Sequence, residues 1–197
     1  MPISELISVF TQGLRLAVPT GVLKHSERVA ELAGDLMSMR GEAPETAILM
    51  GFAHDICRHF SDEEWLTCAE KQGVLVSDLE RSYPVLLHGP VGAKILQESF
   101  DIDSNEVLQA VRYHTYGHPA FSNSAWAMFV ADKIEPQKLE RNSRLGAVFE
   151  LSQDSSRSLP EIALAILNLQ IGELTADGRE IHSLQITTRN FLVSEEL

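Results

Sequence analysis

The chain has 197 residues, 44% of them hydrophobic and 22% charged, a balance that suits one soluble globular domain over residues 1–197 and excludes disorder. Sixteen Lys and Arg against 28 Asp and Glu give a net charge of −12. No basic cluster is present to displace counterions, which argues against nucleic acid as a partner. The longest apolar run, Ala125–Ala131, is too short for a bilayer, and the N-terminus carries no secretory pattern. Cys57 and Cys68 are too few for a disulfide framework and suggest reduced, cytoplasmic thiols.

The periodicity is helical nearly throughout, and no alternating strand pattern interrupts it. Val22, Val29, Leu32 and Leu36 mark one stripe; Ile48, Phe52 and Ile56 mark another. Ser61 with Glu64 reads as a capping box opening a short helix around Trp65. Gly89–Pro90 suits the first turn of a helix through Val91, Ile95 and Leu96. Ser104 caps a helix carrying Val107, Leu108 and Val111, and Ser122 or Ser124 starts one that must stop by Pro136. Further helices are expected at about 144–152, 160–175 and 183–193, with Asp177–Gly178 turning between the last two. The expectation is an all-α bundle of roughly eight to ten helices.

Several polar residues interrupt these apolar stripes. His25 falls between Val22 and Val29; His54 and Asp55 follow Met50 and Phe52; His88 precedes Val91 and Ile95; His114 follows Val107 and Val111; Asp132 follows Ala125 and Met128. Five helices therefore each turn at least one imidazole or carboxylate inward. One such histidine alone reads as a hydrogen-bonded core residue. Together, four imidazoles and two carboxylates buried without compensation would cost several kcal/mol each, in a domain stable by only about 5–15 kcal/mol. Divalent metals resolve the conflict, because neutral imidazole and carboxylate are their usual ligands. Two such cations on this set leave about two positive charges in excess, a local attraction for an anionic substrate that the acidic chain otherwise lacks. Ligands without thiolate favour iron foremost, or manganese or cobalt, over a closed structural zinc site. A metal pair suits hydrolysis of phosphate esters or anhydrides.

His25, the His54–Asp55 pair and Asp132 resemble the H…HD…D signature of the HD-domain phosphohydrolases, an all-α metal-dependent superfamily. The stretches GFAHDICR (51–58), LLHGPVGAKIL (86–96), AVRYHTYGHP (110–119) and ADKIEPQK (131–138) are similar to the YqeK family of symmetrical bis(5'-nucleosyl)-tetraphosphatases, and the resemblance runs on to IHSLQITTRN (181–190). It implies cleavage of diadenosine tetraphosphate into two ADP, with a metal-binding core at about 20–138 and C-terminal helices at about 144–193 completing the nucleotide pocket. It further implies His25, His54, Asp55 and Asp132 as core metal ligands, with His88 and His114 completing a second metal position or touching phosphate. Asp55 and Arg58 would be catalytic. Arg58 stands where the family has a lysine, Lys138 where it has an arginine beside phosphate or ribose, and Thr115 is placed to donate its hydroxyl to phosphate. His182 falls in the segment the family sets near the nucleotide. A nucleotide substrate and ADP product are the implied partners, and a homodimer is compatible with the sequence. The chain departs from the family at Tyr116 and His118, which replace a threonine and an arginine, and at Ser183, which replaces the proline of an IHP-type turn.

His59, just before the Ser61 cap, reads as solvated, and Cys57 as a small core residue. Trp65 and Trp126 read as core or groove aromatics, and Glu135 as a residue orienting the exit loop. Two other functions compete: an HD phosphohydrolase for a mononucleotide, deoxynucleoside triphosphate or cyclic dinucleotide, and a non-catalytic nucleotide-binding HD protein. The sequence reads HDICRH where guanosine polyphosphate hydrolysis requires HDxxED, and it keeps every ligand that a degenerate scaffold tends to lose.

Overall fold

Serine side chains set the starting points of the helices. In the computed structural model, which describes residues 2–195, Ser61, Ser77 and Ser158 each accept from the backbone N–H three residues on, and Glu64, Glu80 and Glu161 reach back to complete capping boxes. Ser104 and Ser122 cap two more helices, so Ser122, not Ser124, starts the helix that ends before Pro136. The described residues form twelve α-helices and no strand: α1 (Ile3–Ala17), α2 (Thr20–Met39), α3 (Glu45–Ala53), α4 (Asp62–Lys71), α5 (Asp78–Ser82), α6 (His88–Ser99), α7 (Asn105–Tyr113), α8 (Asn123–Ile134), α9 (Pro136–Arg141), α10 (Gly146–Ser152), α11 (Leu159–Ala176) and α12 (Ser183–Ser194). A 3-10 turn at Pro84–Leu87 leads directly into α6. The helices beyond the expected number include α5 and α9, of five and six residues, which are too short to show a period. Pro136 both ends α8 and opens α9, because its missing N–H costs nothing in a first turn.

The central element is α8, buried at every residue from Ala125 to Asp132 and packed by α2, α3 and α11. A helix apolar all round belongs in the middle of a bundle, so Asp132 is almost wholly removed from solvent. Val29 and Leu36 of α2 are buried as their stripe requires. Two close approaches then fix the helix ends. A Cβ on Gly51 of α3 would lie 2.5 Å from the Cα of Ala30 on α2, and one on Gly89 of α6 would lie 2.7 Å from the carbonyl oxygen of Arg112 on α7. Glycine alone permits both crossings. The first brings His54 beside His25, and the second brings His88 beside His114.

Candidate metal centre

The six candidate ligands lie where helices end or cross. His25 sits within α2, His54 caps the C-terminus of α3 with Asp55 in the following turn, His88 opens α6, His114 caps the C-terminus of α7, and Asp132 lies in α8. Helix C-termini carry partial negative charge, which makes the ends of α3 and α7 favourable places for cations. His54 donates from Nδ1 to the Gly51 carbonyl at 2.8 Å, and His114 donates to the Val111 carbonyl at 2.7 Å. His88 makes the same contact to the Val85 carbonyl. Nδ1 of His25 faces Glu135 Oε1 at 3.7 Å, and Glu135 is itself gripped by Arg28 Nε at 2.6 Å. The rings of His54, His88 and His114 therefore spend Nδ1–H on a backbone carbonyl, His25 turns Nδ1 toward Glu135, and all four direct Nε2 inward, the arrangement that orients metal-bound histidines.

The inward atoms form two groups that share one carboxylate. Nε2 of His25 and His54 are 3.2 Å apart, with Asp55 Oδ2 at 3.6 Å from both. Nε2 of His88 and His114 are 2.8 Å apart, with Asp55 Oδ1 at 3.3 and 3.5 Å. Asp132 Oδ1 joins the first group, 3.2 Å from His25 and 3.5 Å from His54. For His88 and His114, whose Nδ1–H groups are both committed to carbonyls, two neutral rings can only set lone pair against lone pair at this distance. A cation between them turns that repulsion into ligand bonds. Both His25–His54–Asp55 and Asp55–His88–His114 have the spacing to hold a metal ion.

The electrostatics agree. Burial, above all, pushes His114 down to about 4, so its ring is neutral and able to bind metal at pH 7. Burial alone would raise both carboxylates. For Asp55 it is outweighed by the facing His54, His114 and His88 rings; for Asp132, by the Lys133 and Lys138 ammonium groups first and then by the His25 and His54 rings; both stay ionised, well below the usual carboxylate range. Burial likewise works against charge on His54, but Asp55 and Asp132 overcome it and raise the ring's affinity for a proton. That is the signature of a site seeking positive charge.

Lys133 is the functional candidate that the sequence reading missed. Its ammonium lies 2.5 Å from Asp132 Oδ2 and 3.3 Å from the His114 carbonyl, linking the first ligand group to the helix end carrying the second. Its only signal is a second charge, directly after Asp132, in an otherwise apolar helix. Lys138 places its ammonium 2.6 Å from Asp132 Oδ1. Arg58 does not join the ligand groups; it is exposed, with its guanidinium 5.9 Å from the Trp65 ring. Trp65 and Trp126 are both buried core residues, and Trp65 Nε1 donates to the Cys57 carbonyl at 3.0 Å. Cys57 is fully buried beneath the site, its thiol donating to the His88 carbonyl and pushed up to about 12, first by burial. His59 is exposed.

Beside the second ligand group opens a cavity of about 330 Å³, a size ordinary for a small-molecule site. Thr115, next to His114, and Val85, whose carbonyl orients His88, line its near end. Tyr116 and His182 line it as a stacked pair, ring centres 3.9 Å apart and planes within 12°. Gln170 of α11 and Gln185 of α12 also reach it, and Glu173, Asp177 and Glu180 give it an acidic rim opposed by Arg179. The structure thus brings together His25, His54, Asp55, His88, His114, Asp132 and Lys138, sets Thr115 and His182 in the adjoining cavity, and leaves Arg58 outside both.

A fold that is helical throughout its described elements and converges four imidazoles and two carboxylates where helices end or cross defines a protein with a His/Asp centre able to hold metal ions. The chain belongs to the HD domain family, whose sequence profile matches residues 22–137. It is 34% identical over 119 residues to a Staphylococcus aureus protein named symmetrical bis(5'-nucleosyl)-tetraphosphatase, an alignment spanning 60% of this chain and 61% of the relative. A Halalkalibacterium halodurans protein of the same name is 28% identical over 88% of this chain and 89% of its own length. A Clostridium acetobutylicum crystal structure, described as an HD superfamily hydrolase involved in NAD metabolism, superposes with a TM-score of 0.84 over 95% of this chain and 96% of its own, at 25% identity. No helix among the described residues is long and apolar enough to cross a membrane.

Proposed function

We propose that the chain hydrolyses diadenosine tetraphosphate symmetrically, with water, to two ADP. The observation that carries this reading is the pair of inward-facing Nε2 groups sharing Asp55, beside a cavity large enough for a nucleoside. The names of the staphylococcal and Halalkalibacterium relatives supply the substrate class. In this reading His25, His54, Asp55 and Asp132 hold one divalent cation and Asp55, His88 and His114 a second, with iron, manganese or cobalt matching the nitrogen and oxygen donors. When bound, such cations supply Lewis acidity at phosphoryl oxygens and lower the pKa of water.

The chain's own residues do the rest. Thr115, at the junction of centre and cavity, donates its hydroxyl to a phosphate of the bound half, and the cavity past it takes the nucleoside. Lys138, held at Asp132, neutralises phosphate charge on the bridge, and Arg58, exposed one turn beyond the His54–Asp55 pair, adds to it only by swinging in from its place over Trp65. Water forms the new P–O bond at the inner phosphate of the held half, the central anhydride P–O bond breaks, and the second ADP leaves. The acidic cavity rim repels phosphate and so favours the nucleoside end of the substrate there.

The test is product analysis by ion-exchange chromatography after incubating protein, reconstituted with Fe(II), Mn(II) or Co(II), with diadenosine tetraphosphate. Two ADP per substrate are expected, and chelation abolishes the reaction. ATP plus AMP would contradict the symmetrical cut. Phosphate release from mononucleotides with the dinucleotide untouched would assign the chain to another HD phosphohydrolase activity.

A further inference from the structure

The cavity carries a feature that no motif marks. Gln185 of α12, only 5% exposed, donates from Nε2 to Oε1 of Gln170 on α11 at 3.3 Å, and both side chains line the same cavity as the Tyr116–His182 stack. A primary amide has one carbonyl and one amino group, and an amide pair joined by a single hydrogen bond keeps one of each free. Which glutamine donates is interchangeable, because rotating both amides by half a turn restores the same bond with the roles reversed. The free edge is then donor–acceptor in one setting and acceptor–donor in the other.

We propose that Gln170 and Gln185 form a reversible reading edge that accepts both adenine and guanine in the bound half of the substrate. This inference rests on the nucleotide reading above and extends it to base specificity. Adenine presents an amino donor beside the N1 acceptor; guanine presents the O6 acceptor beside the N1–H donor. The amide pair complements either base by adopting the matching setting, so neither purine leaves a polar group unpaired. The stacked Tyr116–His182 pair supplies an aromatic platform, which binds any base by its face without distinguishing its edge. His182 is fixed for this task, since its Nδ1 accepts from the Leu184 N–H at 3.2 Å and caps α12.

A carboxylate at either position removes the reversibility. In Gln170→Glu the new side chain can only accept; it takes the Gln185 amino group on one oxygen and leaves two acceptors facing the base. Guanine meets two acceptors with N1–H and its exocyclic N2–H, whereas the adenine N1 lone pair is repelled. The experiment measures kcat/KM for diadenosine and diguanosine tetraphosphate, and calorimetric affinities for ADP and GDP, on metal-loaded protein. The unmodified chain should treat the two bases within about fivefold, and Gln170→Glu should move the ratio toward guanine by about tenfold or more. Gln185→Glu exposes the same pair of acceptors and should shift the ratio in the same direction, which keeps the test open if one variant folds poorly. A strong base preference in the unmodified chain, or ratios unmoved in both variants, would overturn the proposal. If neither dinucleotide is cleaved while the ADP-to-GDP affinity ratio still shifts, the hydrolytic reading fails and the reading edge stands.

Discussion

At the metal centre, imidazoles and carboxylates from α2, α3, α6, α7 and α8 are buried and backed by outer partners, whereas the cavity a few residues away pairs neutral amides and a stacked aromatic pair with a charged rim of Glu173, Asp177, Glu180 and Arg179. The contrast follows from the task. Groups able to hold cations have to stay in place against their own repulsion, so three of the four imidazoles spend Nδ1–H on a carbonyl behind them and the fourth, His25, faces the Glu135 carboxylate. On the proposed reading, the groups that meet a base are the neutral amides, whose polarity without charge lets them match its edge. One end is fixed by what lies behind it, and the other by what enters it.

The sharpest way to separate the two ends is Asp55→Ala. Because this carboxylate faces both histidine pairs, its loss should lower turnover of diadenosine tetraphosphate by several orders of magnitude while leaving adenosine binding to the cavity, followed by calorimetry, unchanged. Equal loss of both would show that the two ends are one unit. A smaller effect is expected from Lys133→Met, which keeps the length and apolar stem of the side chain but frees Asp132 Oδ2 and the His114 carbonyl. Metal affinity and turnover should each fall about 10–100-fold, with the melting temperature showing that the fold survives. Smallest is His182→Ala, which removes one member of the stacked pair and the side-chain cap of α12. KM should rise about tenfold with kcat within about twofold, since stacking on a base contributes roughly 1–3 kcal/mol to binding and none of it reaches the phosphate chemistry. A fall in kcat with KM unmoved would place His182 at the wrong end.

The same contrast explains what could be read from the sequence. His25, His54, Asp55, His88, His114 and Asp132 stood out because an imidazole or carboxylate in an apolar stripe has nowhere to go but inward, and the structure gathers all six within one centre. The caps at Ser61, Ser104 and Ser122 were legible for a similar reason: a local hydrogen bond with a fixed spacing. Lys133 was not legible, because a lysine following an aspartate reads as a solvated charge until α8 is known to be buried on every side. Glu135, read as orienting the exit loop, caps α9 and also backs His25 through a crossing 107 residues apart with Arg28 that no local pattern announces. Gln170 and Gln185 were invisible for a plainer reason: neutral amides on amphipathic helices look like ordinary surface. Their pairing depends on how α11 and α12 pack, which is a tertiary fact.

The central claim is that Asp55 serves two cations at once, and counting metals tests it most directly. Plasma mass spectrometry on protein reconstituted with Fe(II) or Mn(II) and freed of excess metal should find about two ions per chain, and about one in His88→Ala, where only the second group is broken. One ion per chain in both proteins would contradict the account, leaving His88 and His114 as phosphate contacts and Asp55 as the ligand of a single metal.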